Sequence, residues 1–131
     1  MRAETERWLH YAREDLETAR VTYQGERWTA TSFHAQQAAE KALKALWVEQ
    51  QGAEAPRTDD LVRLAQDVGY LAESAADLDE LTQSYVASRY PDAIDATTAD
   101  IDKNTAAEHR ATAEDTVRWV REQLQTESPS G

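Results

Sequence analysis

One run of residues limits the fold of this chain more than any other: Phe33-His34-Ala35-Gln36-Gln37-Ala38-Ala39-Glu40-Lys41-Ala42-Leu43-Lys44-Ala45-Leu46. It contains no glycine, proline or β-branched residue, the types that most weaken a helix interior. At 3.6 residues per turn, Ala35, Ala38, Ala39, Ala42, Leu43 and Leu46 fall on one side, where small residues let another helix approach closely. His34, Gln37, Lys41 and Lys44 follow steps of three and four and form a polar stripe on the other side. An imidazole, an amide and two ammonium groups in a row suit a phosphate or the edge of a base. The plainer reading is a solvated face, with Glu40 paired to Lys44 at i,i+4.

The rest of the chain reads as helix too, with no alternating β-branched run that would make a strand. Helix one is expected from about Thr5 to Gln24, with Trp8, Ala12, Leu16, Ala19 and Tyr23 as its apolar stripe and Gly25 at its end. Helix two is expected from about Thr29 to Gln51, stopped by Gly52 and then Pro56. Thr58-Asp59-Asp60 can cap a short helix, Leu61 to Val68, that Gly69 stops. Helix four is expected over about Asp77 to Arg89, with a start nearer Ser74 as the variant, and Pro91 beyond it. Residues Asp92 to Asn104 read as an acidic loop. Thr105-Ala106-Ala107-Glu108 has capping-box spacing and is expected to open helix five. Ala106, Ala113, Val117, Val120 and Leu124 form the inner stripe of that helix, and fraying is expected from about Thr126.

Together these elements predict an all-α fold: an antiparallel up-and-down bundle of about five helices in a single domain, 1–131. Its core spans about 5–125, and a disordered tail is expected over 126–131. A chain of 131 residues can bury an adequate core without staples. It has no cysteine, so disulfides and thiolate chemistry are excluded. Neither a signal peptide nor a run near the ~18 apolar residues of a membrane span is present, so a cytoplasmic protein without membrane contact is expected.

The formal net charge is −11, which opposes broad electrostatic attraction to nucleic acid. Eleven arginines and three lysines stand against 25 acidic residues. Such a balance suits a halophilic or salt-tolerant source and equally an ordinary acidic protein. Trp47 falls on the polar side of helix two and Trp119 off the stripe of helix five. Either a loop or helix covers them, or they belong to an interface; the patch favours a homodimer.

A second constellation is Ser88-Arg89-Tyr90-Pro91-Asp92. Leu78, Thr82, Tyr85 and Arg89 share a helical face, so Arg89 ends an inward-facing stripe. A half-buried guanidinium needs an acceptor, whether a carboxylate, helix-end carbonyls or a bound phosphate. No glycine-rich phosphate loop, cofactor motif, nucleophile elbow or metal-ligand spacing is present. His10 and His109 sit among charged residues and are expected at the surface.

The helix-two run and the Arg-Tyr-Pro-Asp block, taken as a pair, resemble the HEPN domain, the higher eukaryote and prokaryote nucleotide-binding domain. Asp60-Leu61-Val62-Arg63-Leu64 resembles the helix that follows in that family. Asp15-Leu16, Leu81-Thr82 and Trp119-Val120-Arg121 also fit, so the resemblance spans about residues 5 to 125. It implies a helical bundle, commonly a homodimer, often encoded beside or fused to a minimal nucleotidyltransferase in toxin–antitoxin-like or defence modules. Many members are metal-independent endoribonucleases with an Arg-x4–6-His motif. Here no histidine follows Arg89 at that spacing, and Asp59 stands where many relatives carry histidine. The formal match from Arg27 to His34 lies outside the family's active-site position. The resemblance therefore implies a protein that binds a nucleotide, a nucleotidyltransferase partner or both, without that ribonuclease activity and without a catalytic set. The alternatives are an RNA endonuclease using Arg89 and His34, and a non-enzymatic interaction module. The expected ligand contacts are Lys41 and Lys44 on phosphate, Gln37 and His34 on base or ribose, and Arg89 as an anion clamp. Tyr90 and Asp92 are expected to orient Arg89 or meet the partner.

Overall fold

The computed structural model of the protein describes residues 1–70, 74–89 and 101–127. Within them lie five helices and no strand: α1 (Ala3–Gln24), α2 (Trp28–Gln51), α3 (Leu61–Val68), α4 (Ala75–Arg89) and α5 (Lys103–Glu127). The all-α bundle read from the sequence is the observed fold.

α2 is the axis of the molecule, and each of the other four helices packs against it. Half of its 24 residues are buried. Ala35, Ala38, Ala39, Ala42, Leu43 and Leu46 are fully enclosed, as the spacing predicts. They join Leu61 and Leu64 of α3, Leu78 and Leu81 of α4, and Val117, Val120 and Leu124 of α5 in one core.

The ends of the elements follow local chemistry. α3 has the predicted bounds: the Asp60 carboxylate accepts the Arg63 N–H at 3.3 Å, and Gly69 closes the helix at φ 85°. Gly52 ends α2 at φ 64°, a left-handed conformation that glycine adopts without cost. After α1 the left-handed turn is taken by Glu26 at φ 60° and not by Gly25.

α5 opens two residues before the expected Thr105. Asp102 caps it, its carboxylate accepting the Thr105 N–H at 2.8 Å and its carbonyl the Ala106 N–H at 3.0 Å. The bond from the Thr105 N–H holds the Asp102 carboxyl below its ordinary pKa. Residues 103 and 104, expected in a loop, are therefore helical. At its other end α5 continues through Thr126 to Glu127. Residues 128–131 and most of the expected acidic loop lie outside the described residues.

Both stray tryptophans are partly buried within the chain. Trp119 stacks on Tyr70, the residue after Gly69, with ring centroids 4.6 Å apart. Trp47 is half-buried against the core. No helix among the described residues is long and apolar enough to cross a membrane.

Candidate functional site

Part of the polar stripe of α2 forms a half-buried seam with α1. α1 runs antiparallel to α2, so low-numbered residues of one meet high-numbered residues of the other. Thr5 donates to the Glu49 carboxylate at 2.8 Å, and the Arg2 backbone N–H donates to the same oxygen at 3.0 Å. These bonds, the Arg2 one foremost, hold the Glu49 pKa below its ordinary value. At the far end the Thr22 and Thr31 hydroxyls meet at 3.0 Å.

Between these ends lie the stripe residues. Asp15 of α1 takes two of them: its carboxylate is 3.0 Å from His34 Nδ1 and 2.5 Å from Lys41 Nζ. The Lys41 ammonium also lies 5.9 Å from the centre of the Tyr11 ring. Lys44 is 7% exposed. It donates to Glu40 at 3.0 Å and sits 5.4 Å from the centre of the Trp8 ring. A lysine is rarely enclosed to this degree unless its charge is paired, and here a carboxylate and an aromatic face share it.

A chain of amides extends from this pair. Gln36, fully buried, donates through Nε2 to Glu40 Oε1 and to the Asp59 carbonyl, both at 3.3 Å, while its Oε1 accepts from Gln37 at 2.7 Å. Gln36 and Glu40 were not among the residues singled out from the sequence. The signal for Glu40 was its capacity to pair with Lys44; Gln36 had none, because its partner Asp59 lies beyond the helix.

This network opens into a recess of about 420 Å³ lined by Gln37, Glu40, Lys44, Arg57, Asp59 and Tyr85, among others. Leu78, Thr82 and Tyr85 of α4 are buried, so this face of α4 points inward. Thr82 accepts the Leu61 N–H at 3.3 Å and ties α4 to the start of α3. α4 ends at Arg89, one helical turn beyond Tyr85. The Arg89 side chain, with Tyr90 and Asp92, lies outside the described residues. The structure thus brings Gln37 and Lys44 to the recess, and places His34 and Lys41 in the α1–α2 seam.

His109, expected at the surface, is 2% exposed. Its Nδ1 forms a hydrogen bond with the Ser32 hydroxyl, and its Nε2 lies 3.7 Å from Glu80 without a hydrogen-bond partner among the described residues. Burial lowers its pKa from the ordinary 6.5, against an opposing pull from Glu80. The signal was present in the sequence: position 109 lies three residues after Ala106 and four before Ala113, on the inner stripe. Among the described residues no three His, Asp or Glu side chains converge as a metal shell requires.

The chain matches the family model of the HEPN domain over residues 5–123. It is similar to the crystal structure of TT1696 from Thermus thermophilus, at 26% identity and a TM-score of 0.83, over 94% of this chain and 100% of that one. It is also similar to ST0689, an archaeal HEPN homologue, at 31% identity and a TM-score of 0.76, over 95% and 99% of the two chains. The comparison with curated proteins gives no match.

Proposed function

Because the chain belongs to the HEPN domain family, we propose that it acts by binding: it accepts a nucleotide in the recess between α2, the α2–α3 connection and α4, and works as a homodimer beside a minimal nucleotidyltransferase in a toxin–antitoxin-like or defence module. One observation carries this reading. Gln37 and Lys44 of the helix-two run and Tyr85 of the helix-four stripe line the same recess. Tyr85 brings α4 to the wall that the helix-two run forms, and α4 itself ends at Arg89.

Each side chain has a role that fits. The Lys44 ammonium supplies a point charge for a phosphate. The Gln37 amide can donate to and accept from a base edge. The Arg89 guanidinium is assigned, from the sequence alone, the part of a clamp for further phosphate charge. His34 and Lys41 serve differently: Asp15 engages both, so their part is to hold α1 in register along α2. The exposed rings of Tyr11 and Phe33 offer apolar surface to a second copy.

Catalytic cleavage of RNA is not part of this reading, because no histidine stands five to seven residues beyond Arg89. The rival enzyme has one feature in its favour, the carboxylate on His34 Nδ1, an arrangement that orients an imidazole for proton transfer.

The test is calorimetric titration with nucleoside mono-, di- and triphosphates, alongside incubation with mixed RNA in metal-free buffer. At least one nucleotide should bind saturably, and Gln37→Ala should weaken it about tenfold, or roughly 1.4 kcal/mol. RNA should stay intact. The reading fails if no nucleotide binds, or if RNA is cut and His34→Ala abolishes the cutting.

A further inference from the structure

A larger cavity lies on the other side of Lys44. It measures about 710 Å³ and sits between the start of α1 and the connection from α2 to α3, a volume typical of sites for small organic ligands. Lys44 and Arg57 line both this cavity and the 420 Å³ recess, so the buried lysine is a shared wall.

Three cations border the cavity. The Lys44 ammonium has three N–H donors, and among the described residues its hydrogen-bond acceptor is Glu40. Arg2 lies over the end of α2, its Nε donating to the Glu49 carbonyl at 3.4 Å. Gly52 permits this: a Cβ there would stand 2.9 Å from an Arg2 terminal nitrogen. Arg57 is exposed, with a loose 3.5 Å ion pair to Glu54. Against these three stand the carboxylates Glu4 and Glu54. The lining therefore carries one net positive charge in a chain whose net charge is −11. Trp8 gives the cavity a flat apolar wall.

We infer that this cavity is a second ligand site, for a small organic anion: a phosphate monoester or a carboxylate whose body also carries a hydroxyl. Lys44, Arg2 and Arg57 receive the anionic head, the body lies along Trp8, and Glu4 or Glu54 accepts from the hydroxyl. A ligand anion on Lys44 competes with Glu40 for the ammonium. Glu40 is then left as an unpaired carboxylate facing the recess, where it repels phosphate. Filling the large cavity therefore weakens nucleotide binding next door. This coupling rests on the function proposed above; the site itself does not.

The experiment is a thermal-shift and calorimetric series on the full chain with inorganic phosphate, glycerol 3-phosphate and malate, each matched in ionic strength with sodium chloride. Glycerol 3-phosphate or malate should raise Tm saturably, and which of them does so assigns the phosphate or the carboxylate source. Arg2→Ala should weaken that binding at least tenfold and Arg2→Lys less. Glu122→Gln, exposed on α5 and in neither lining, should leave it unchanged. The proposal is overturned if none of the probes exceeds the salt control, if Arg2→Ala binds like the parent, or if inorganic phosphate alone responds, which marks an adventitious ion only. Where the organic anion binds but no nucleotide does, the function proposed above fails and the second site stands.

Discussion

α2 shares one apolar core with its two largest neighbours, α1 and α5, but differs in the polar contacts it makes with each. Toward α5 it presents alanines and leucines to Ala113, Val117, Val120 and Leu124, an apolar contact with a Ser32–His109 bond set into it. Toward α1 it presents a ladder of polar pairs from Glu49 with Thr5 to Thr31 with Thr22. Apolar burial is non-directional, so small residues bring helices together while leaving their sliding position weakly specified. Ion pairs and hydrogen bonds have fixed partners, so a slip along the α1–α2 seam would leave several charges unpaired at once. Apolar burial stabilises both seams, since Leu9 and Ala12 of α1 belong to the same core; the polar ladder adds alignment to the α1–α2 seam. It also explains why cavities open beside the polar seam: long side chains anchored by their tips do not fill space as a packed core does.

The largest effect should come from the apolar seam. Leu43→Ala, at a fully buried position, should cost about 2–5 kcal/mol in denaturant unfolding, and a cost below about 1 kcal/mol would break the contrast. Asp15→Ala should follow at about 2 kcal/mol, because it leaves the partly buried Lys41 without its carboxylate. Lys41→Met added to it should recover part of that loss; a simple sum of the two single effects would show that the pair is not coupled.

Thr31→Val should cost about 1 kcal/mol, and Thr22→Val combined with it should cost less than the two single changes added, since both partners are then removed together. The smallest effect at neutral pH belongs to His109. Its folded pKa is lowered, so its contribution is fully present above the ordinary pKa of 6.5 and is lost as pH falls below that value toward the folded pKa. Urea midpoints between pH 7 and pH 5 should therefore fall less steeply in His109→Gln than in the parent chain. Equal slopes would remove the histidine from the account.

The helices were legible because their signals are local. α3 has its predicted bounds because a capping aspartate and a glycine bracket it, and the burial of Ala35 through Leu46 follows from spacing alone. α5 was misplaced at its start because two cap signals stand three residues apart. Asp102 takes the Thr105 N–H, so the threonine that resembled a cap is already inside the helix. The site was only half legible for a different reason. Spacing put His34, Gln37, Lys41 and Lys44 on one stripe but could not show that α1 would lie along it with Asp15 opposite, a contact between residues 26 positions apart. His109 was misread because its sequence neighbours are charged, although its place in the period of α5 pointed inward.

The stack of Tyr70 on Trp119 makes α5 carry an optical report on a helix it scarcely touches. Tyr70 follows the glycine that closes α3, so its ring stays against the indole only while α3 remains docked. Trp119 emission, isolated by replacing Trp8, Trp28 and Trp47 with phenylalanine, would follow that docking in real time. It would reveal whether the short helix beside both cavities detaches before the long helices separate.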